Sequence, residues 1–320
     1  MKVMSNEKKK ILLPLRTDQL GANVCSKMAV FFYGKKNNYE VIYSKDSAYM
    51  ESMFMIPLLK NSRKMENNET GIIVYDENTQ EANFRVLNGK AVCSLNNDLI
   101  SYFSKKYKKN FFGLIKEKAE ERNYKLPWNN KKNIICIHLR LYDGNSHEGA
   151  NNSDYDGSYS TNYILDLLEN NKIEYFNKRE MYKFCKRNGF VVPIGSEPSL
   201  CDRQTAINIV KLEKLILLLK NKYPEKEIHV VTKLSESKEN QKYVNLCNHY
   251  KIPIHTNNDY DYDLWLLINS EILILSKSTY SLLAGYYHQG SKIIYPLWGH
   301  FACLGLGSKK YDNSNWVSYI

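Results

Sequence analysis

The chain runs to 320 residues, 43% of them apolar, with a formal net charge of +11. That is enough to bury a full core, and the length suits two domains of ordinary size. Seven cysteines, odd in number and without a CxxC pair or Cys/His cluster, suggest neither a disulfide frame nor a zinc site and fit a reducing compartment.

The positive balance favours contact with anions: nucleic acid, a membrane surface or phosphorylated small molecules. It is spread over runs such as Asn6–Lys10, Ser104–Asn110 and Asn129–Lys132, set among Asn and Tyr, which read as solvated surface. The apolar stretch near the start is interrupted by Pro14 and Arg16. It is too short for a signal-peptide core, and nothing approaches a span of about 20 apolar residues. The expectation is a soluble, cytoplasmic protein with no membrane span.

From the N-terminus, Ile11–Leu15 reads as a short strand. The segment Asp18–Lys36 reads as a helix, with Leu20, Val24, Met28 and Phe31 at helical spacing. Glu40–Ser44 returns as a strand and closes a βαβ opening, and Gly71–Asp76 is a further strand. A single helix is expected near Asp98–Arg122, and the stretch ending at Asn133 reads as a connection between domains. Strands then follow at Ile134–Leu139, Glu227–Thr232, Lys251–Thr256, Glu271–Ser276 and Ser291–Pro296. Helices alternate with them at Thr205–Tyr223, Ser237–Tyr250, Tyr260–Asn269 and Tyr280–His288. Short apolar strands alternating with helices predict an α/β fold whose mostly parallel sheets are covered on both faces. The polar, Gly-containing stretch Asp143–Thr161 is too long for a simple connector.

Ligands of such sheets bind outside the carboxyl ends of the strands, and three features fall there. One is His138-Leu139-Arg140 followed by Asp143: Arg140 offers a fork of donors suited to phosphate oxygens, unless it simply pairs with Asp143. Another is the run Ser276, Ser278, Thr279, Ser281 between a buried strand and an apolar helix. This is either an anion site at a helix start or ordinary N-capping. The last is the acidic row Asp259, Asp261, Asp263 at a helix start, where favourable interaction with the helix dipole is the simplest account. Asp261/Asp263 and Asp154/Asp156 are also DxD pairs of the kind that hold a metal in another class of sugar transferase.

In order and spacing, these residues resemble the motif set of fucosyltransferases of GT-B architecture, which include α1,2-, α1,6- and protein O-fucosyltransferases. His138, Arg140 and Asp143 match the first motif; Ser235 and Glu236 weakly match the second. Asp263 and the Ser276–Ser281 run match the third, and Gly21 and Asn23 match the family's opening Gly/Asn loop. The second arginine that many relatives carry is replaced by Leu141. The resemblance implies two Rossmann-like domains facing a central cleft: residues 1–127 on the acceptor side, 128–320 holding the donor. It implies inverting transfer from a nucleotide sugar, GDP-fucose by preference, to a glycan hydroxyl, with no cofactor and no metal.

In that scheme Arg140 holds the pyrophosphate together with Ser278, Thr279 and nearby N–H groups, and His138, Ser276, Ser281, Gly21 and Asn23 complete the donor site. Asp263 contacts the base or ribose. Glu148, ten residues past the motif histidine, is the expected general base, with Asp143, His147 and Asp154 as rivals. A UDP-sugar such as UDP-xylose, in bacterial or viral glycan synthesis, is the alternative within the same fold. A non-catalytic nucleic-acid or anion binder is the alternative of another class, although no nucleic-acid motif is present.

Overall fold

The computed structural model describes residues 8–15, 19–73, 95, 97–141, 206–207, 209–235, 238–296 and 316–319. The chain divides into two compact units, Met1–Asn123 and Tyr124–Ile320.

The first unit opens with β1 (Lys10–Leu12), α1 (Leu20–Lys36), β2 (Glu40–Tyr43), α2 (Ile56–Lys60), β3 (Arg63–Lys64) and β4 (Ile72–Ile73). These strands pair in parallel in the order β3-β2-β1-β4, with Ile11 opposite Val41. The expected stripe on α1 is in the core, since Leu20, Val24, Met28 and Phe31 are all buried. So is most of the rest of the helix, including Gly21 and Asn23. Arg63 ties the short β3 to the sheet: its Nε donates to Glu40 at 2.7 Å and its Nη2 to Glu69, and Lys10 Nζ lies 3.1 Å from Glu69. These bonds hold the Glu69 carboxyl well below the usual carboxylate range.

The single helix expected near residues 98–122 is two, α3 (Asn97–Lys106) and α4 (Lys108–Glu121). The break falls on Tyr107, whose φ of −124° leaves the helical region. Its N–H still reaches Phe103 O and its carbonyl still accepts from Phe111, both at 2.8 Å. Packing accounts for the irregularity: the Tyr107 ring sits 5.8 Å from Phe31, 5.4 Å from Phe32 and 5.4 Å from Phe111, inside an aromatic cluster. Seating that ring outweighs one residue of helical geometry.

The second unit contains β5 (Ile134–Leu139), α5 (Ile209–Lys222), β6 (Glu227–Thr232), α6 (Lys238–His249) and β7 (Ile254–Thr256). After them come α7 (Tyr260–Ile268), β8 (Ile272–Ile274), α8 (Thr279–Tyr287), β9 (Lys292–Pro296) and β10 (Trp316–Tyr319). The strands form one parallel sheet in the order β10-β9-β8-β5-β6-β7. Counted along the unit, that is the doubly wound order 6-5-4-1-2-3. The edge strand β10 went unread in the sequence.

Both faces of the sheet are covered, which is why β5 is buried at every position and reads as an unbroken apolar run. On one face Ile135, Ile137, Leu139, Ile228, Val230, Ile272 and Ile274 pack in one cluster with Leu212, Leu215, Ile216 and Leu219 of α5. On the other, α7 lies against β5 and β6, and α8 against α7. The segment before β5 belongs to this unit. Tyr124 OH donates to Asp259, Tyr262 OH donates to Lys125 O at 2.7 Å, and the Trp128 ring packs edge-on against His229 at 5.1 Å.

Candidate functional site

In a doubly wound sheet, the connections from adjacent strands diverge to opposite faces where the order reverses, and a ligand crevice opens at the carboxyl ends of those two strands. Here the reversal lies between β5 and β8, which pair directly with Ile137 opposite Ile274. His138 lies at the end of β5 with Arg140 just beyond it, and Ser276 to Ser281 follow β8. Residues 138 positions apart are thereby bonded: His138 Nδ1 lies 2.6 Å from Ser276 Oγ. The His138 ring also packs 5.4 Å from that of Tyr280 on α8. Burial, and then the charge of Arg140, push the His138 imidazolium down to a pKa of about 3, so the ring is neutral at any working pH.

The turn after β8 is bound to itself. Ser278 N–H reaches Ser276 O at 2.8 Å, and the Ser281 hydroxyl is shared between Ser276 O at 2.9 Å and Ser278 O at 3.1 Å. Ser276 N–H in turn donates to Ser281 Oγ at 3.2 Å. Ser278 is the N-cap of α8, accepting from Tyr280 N–H at 3.2 Å, and Thr279 is the first helical residue. Thus Ser281, fully buried, braces the turn through its hydroxyl, while Ser276 faces His138.

The acidic row lies at the start of α7. Asn257, at φ +57°, turns the chain out of β7 in the left-handed conformation that Asn tolerates. The next residue, Asn258, donates from Nδ2 to Asp263 Oδ1 at 2.8 Å, and Asp259 caps the helix by accepting from Asp261 N–H at 3.1 Å. Burial raises the Asp263 pKa to about 6, opposed by the Asn258 bond and reinforced by Asp259. Tyr280 connects this row to the strand ends. Its hydroxyl donates to Tyr260 O, and burial with the nearby Asp263, Asp261 and Asp259 carboxylates drives its pKa far up.

Four elements of the second unit therefore converge through His138, Ser276, Tyr280 and the α7 acids, with half-buried Arg140 beyond the end of β5. Gly21 and Asn23 lie in the first unit, on the first turns of α1, where buried Lys27 donates to Asn23 Oδ1. Ser235 bonds Asn240 Nδ2 at 2.8 Å. Asp143, His147, Glu148, Asp154, Asp156 and Glu236 lie outside the described residues. Sequence reasoning passed over Tyr280, Asn258 and Lys277. The first and last sit within the hydroxyl run, and Asn258 lies five residues before Asp263, a separation that signals nothing until the turn at Asn257 folds it back. Among the described residues no group of three or more His, Cys, Asp or Glu is placed to hold a metal, and no helix is long and apolar enough to cross a membrane.

No family model matches the chain, and no curated protein matches it. Among solved structures, POFUT1 in its apo form is 11% identical, covering 87% of this chain and 94% of its own, with a TM-score of 0.40. A point mutant of Arabidopsis thaliana FUT1 in complex with GDP is 11% identical, covering 92% and 71%, with a TM-score of 0.43. POFUT1 in complex with GDP-fucose is 10% identical, covering 90% and 73%, with a TM-score of 0.35. At TM-scores under 0.5 these likenesses decide neither fold nor chemistry. The strand order and the residues at its reversal stand without them.

Proposed function

We propose that the chain is a glycosyltransferase of GT-B type that draws a sugar from a nucleotide-sugar donor, with the second unit holding the nucleotide and the first serving the acceptor. One observation carries this reading: the reversal of strand order between β5 and β8 coincides with the His138–Ser276 bond and with Arg140. Arg140 grips the diphosphate, joined by Ser278 and Thr279 where α8 begins. Fixed donors aimed at charge that develops on a leaving group are commonly the largest catalytic contribution. Asp263, steadied by Asn258, meets the base or ribose.

The transfer is inverting and needs no metal. An acceptor hydroxyl attacks the anomeric carbon from the side opposite the diphosphate and gives its proton to a carboxylate, for which Glu148 is our candidate. The motif resemblance favours GDP-fucose as donor. Hydrolysis and transfer assays across a panel of nucleotide sugars, in excess chelator, test the reading directly. Thermal unfolding with GDP and UDP adds a binding measure, since ligand at 100 times its Kd stabilises by about 2.7 kcal/mol. Stabilisation by GDP and not UDP supports the favoured donor; absence of response to every nucleoside diphosphate overturns the reading.

A further inference from the structure

The turn after β8 holds a cation that the scheme above leaves idle. Lys277 stands between Ser276 and Ser278 and is only 6% exposed, unusual for a lysine, whose ammonium is strongly hydrated. Its backbone is fixed on both sides. Ser278 N–H closes on Ser276 O across it, and the Ser281 hydroxyl holds the carbonyls of both neighbours. The same turn is tied to β5 through Ser276 and His138. The last rung between β5 and β8 is Ile137 with Ile274, and Arg140 and Lys277 each stand three residues beyond it. Two cations are thus carried past the ends of adjacent parallel strands, one of them from a turn whose backbone is held by its own hydrogen bonds.

We propose that Lys277 is a second diphosphate-binding residue, acting beside Arg140; this rests on the nucleotide-sugar reading given above. A nucleoside diphosphate leaves with negative charge on both phosphates. One guanidinium can take two oxygens of one phosphate in a fork, and an ammonium is a point charge able to meet the other. During transfer the bond from the anomeric carbon to the β-phosphate oxygen breaks, and its electron pair stays on that oxygen. The acceptor oxygen forms the new bond and loses its proton to the base. Lys277 neutralises charge that grows on the departing diphosphate, and the clamped turn means it need not be reordered at that moment.

The test is calorimetric titration of GDP, UDP and GMP into wild type, Lys277→Met, Lys277→Arg and Arg140→Ala, at two salt concentrations. Loss of one charged contact predicts diphosphate binding by Lys277→Met weaker by about 10- to 100-fold. GMP binding should change less than diphosphate binding, the salt dependence should shrink, and Lys277→Arg should keep most of the affinity. If Lys277→Met does not fold, Lys277→Gln takes its place under the same expectations. Wild-type diphosphate affinity in the lysine variants, with loss confined to Arg140→Ala, overturns the role of Lys277 alone. Failure of wild type to bind any nucleoside diphosphate overturns the underlying reading and Lys277 with it.

Discussion

His138 and Ser276 join the ends of two neighbouring strands through a single 2.6 Å hydrogen bond, made between a buried neutral imidazole and a hydroxyl. The bond fixes the turn that leads into α8 relative to the strand that carries Arg140. Ser276→Ala leaves the His138 nitrogen buried without this partner, which costs about 1–3 kcal/mol. Urea unfolding of the variant measures it; an unchanged midpoint would show that the bond adds nothing to the fold.

Neutral His138 also sets a pH dependence of stability. Its pKa falls from the ordinary 6.5 to about 3 in the folded chain, so the unfolded chain takes up the proton first. Its contribution is complete above pH 6.5 and is lost as pH drops from there toward 3, by at most about 1.4 kcal/mol per unit. His229 and His255, bonded to each other at 2.9 Å and also shifted downward by burial, add the same sign. Unfolding free energies measured between pH 7 and 4 should fall more steeply for wild type than for His138→Gln.

Asp263 acts with the opposite sign. Raised to about 6, it favours folding below the unfolded carboxylate value, and that advantage is lost as pH rises through 6. Ligand binding follows its ionised form instead. If Asp263 contacts the nucleotide as proposed, its carboxylate accepts from a base N–H or a ribose O–H, GDP binding should strengthen as pH climbs from 5 to 7, and Asp263→Asn should flatten that profile. A wild-type affinity that does not move over this range would remove Asp263 from the nucleotide contact.

For the transfer step, Arg140→Ala should lose donor binding and turnover while remaining folded by circular dichroism. Glu148→Gln should keep donor affinity and lose about 100-fold or more in transfer. Normal turnover by Arg140→Ala contradicts the mechanism, and equal loss of binding and transfer in Glu148→Gln assigns that residue to structure.

The parallel sheets were legible because their strands are buried on two faces: Ile134–Ile137 and Ile272–Leu275 leave no alternation to misread. The helix break at Tyr107 was hidden, since Phe103, Tyr107 and Phe111 keep helical spacing straight through it and only the ring cluster reveals the kink. Strand β3 has two residues and depends on Arg63 for attachment, so no periodicity announces it. Within the site, the hydroxyl run could be found by eye, but the division of labour within it could not. The roles of Ser276 and Ser281 depend on which atoms the turn brings within reach, and that is a property of three dimensions.

Two glycines separate tolerable from intolerable crowding. A Cβ on Gly34 would meet Ile11 Cγ2 and Val41 Cγ2 at 2.8 Å, methyls carried directly on the Cβ of buried β-branched side chains. Gly34→Ala should cost about 1–3 kcal/mol for the crowding, partly offset by about 1 kcal/mol of helix propensity. A Cβ on Gly290 would lie 2.2 Å from Glu271 O and 2.3 Å from Ser270 O, backbone atoms at the entry to β8. Gly290→Ala should therefore be the more damaging, and thermal melts of the two variants side by side decide the order.

Leu141 is 7% exposed and packs into the cluster formed with α5. Replacing it with arginine, which the fucosyltransferase motif it resembles often carries at this place, would bury a charge among leucines and isoleucines, and the expected product is an unfolded chain rather than a tighter binder. On the nucleotide-sugar reading proposed above, charge is better added in the loop joining β8 to α8, which follows the strand end beside β5. If that reading holds, an engineer changing donor preference would work through that loop while position 141 stayed apolar.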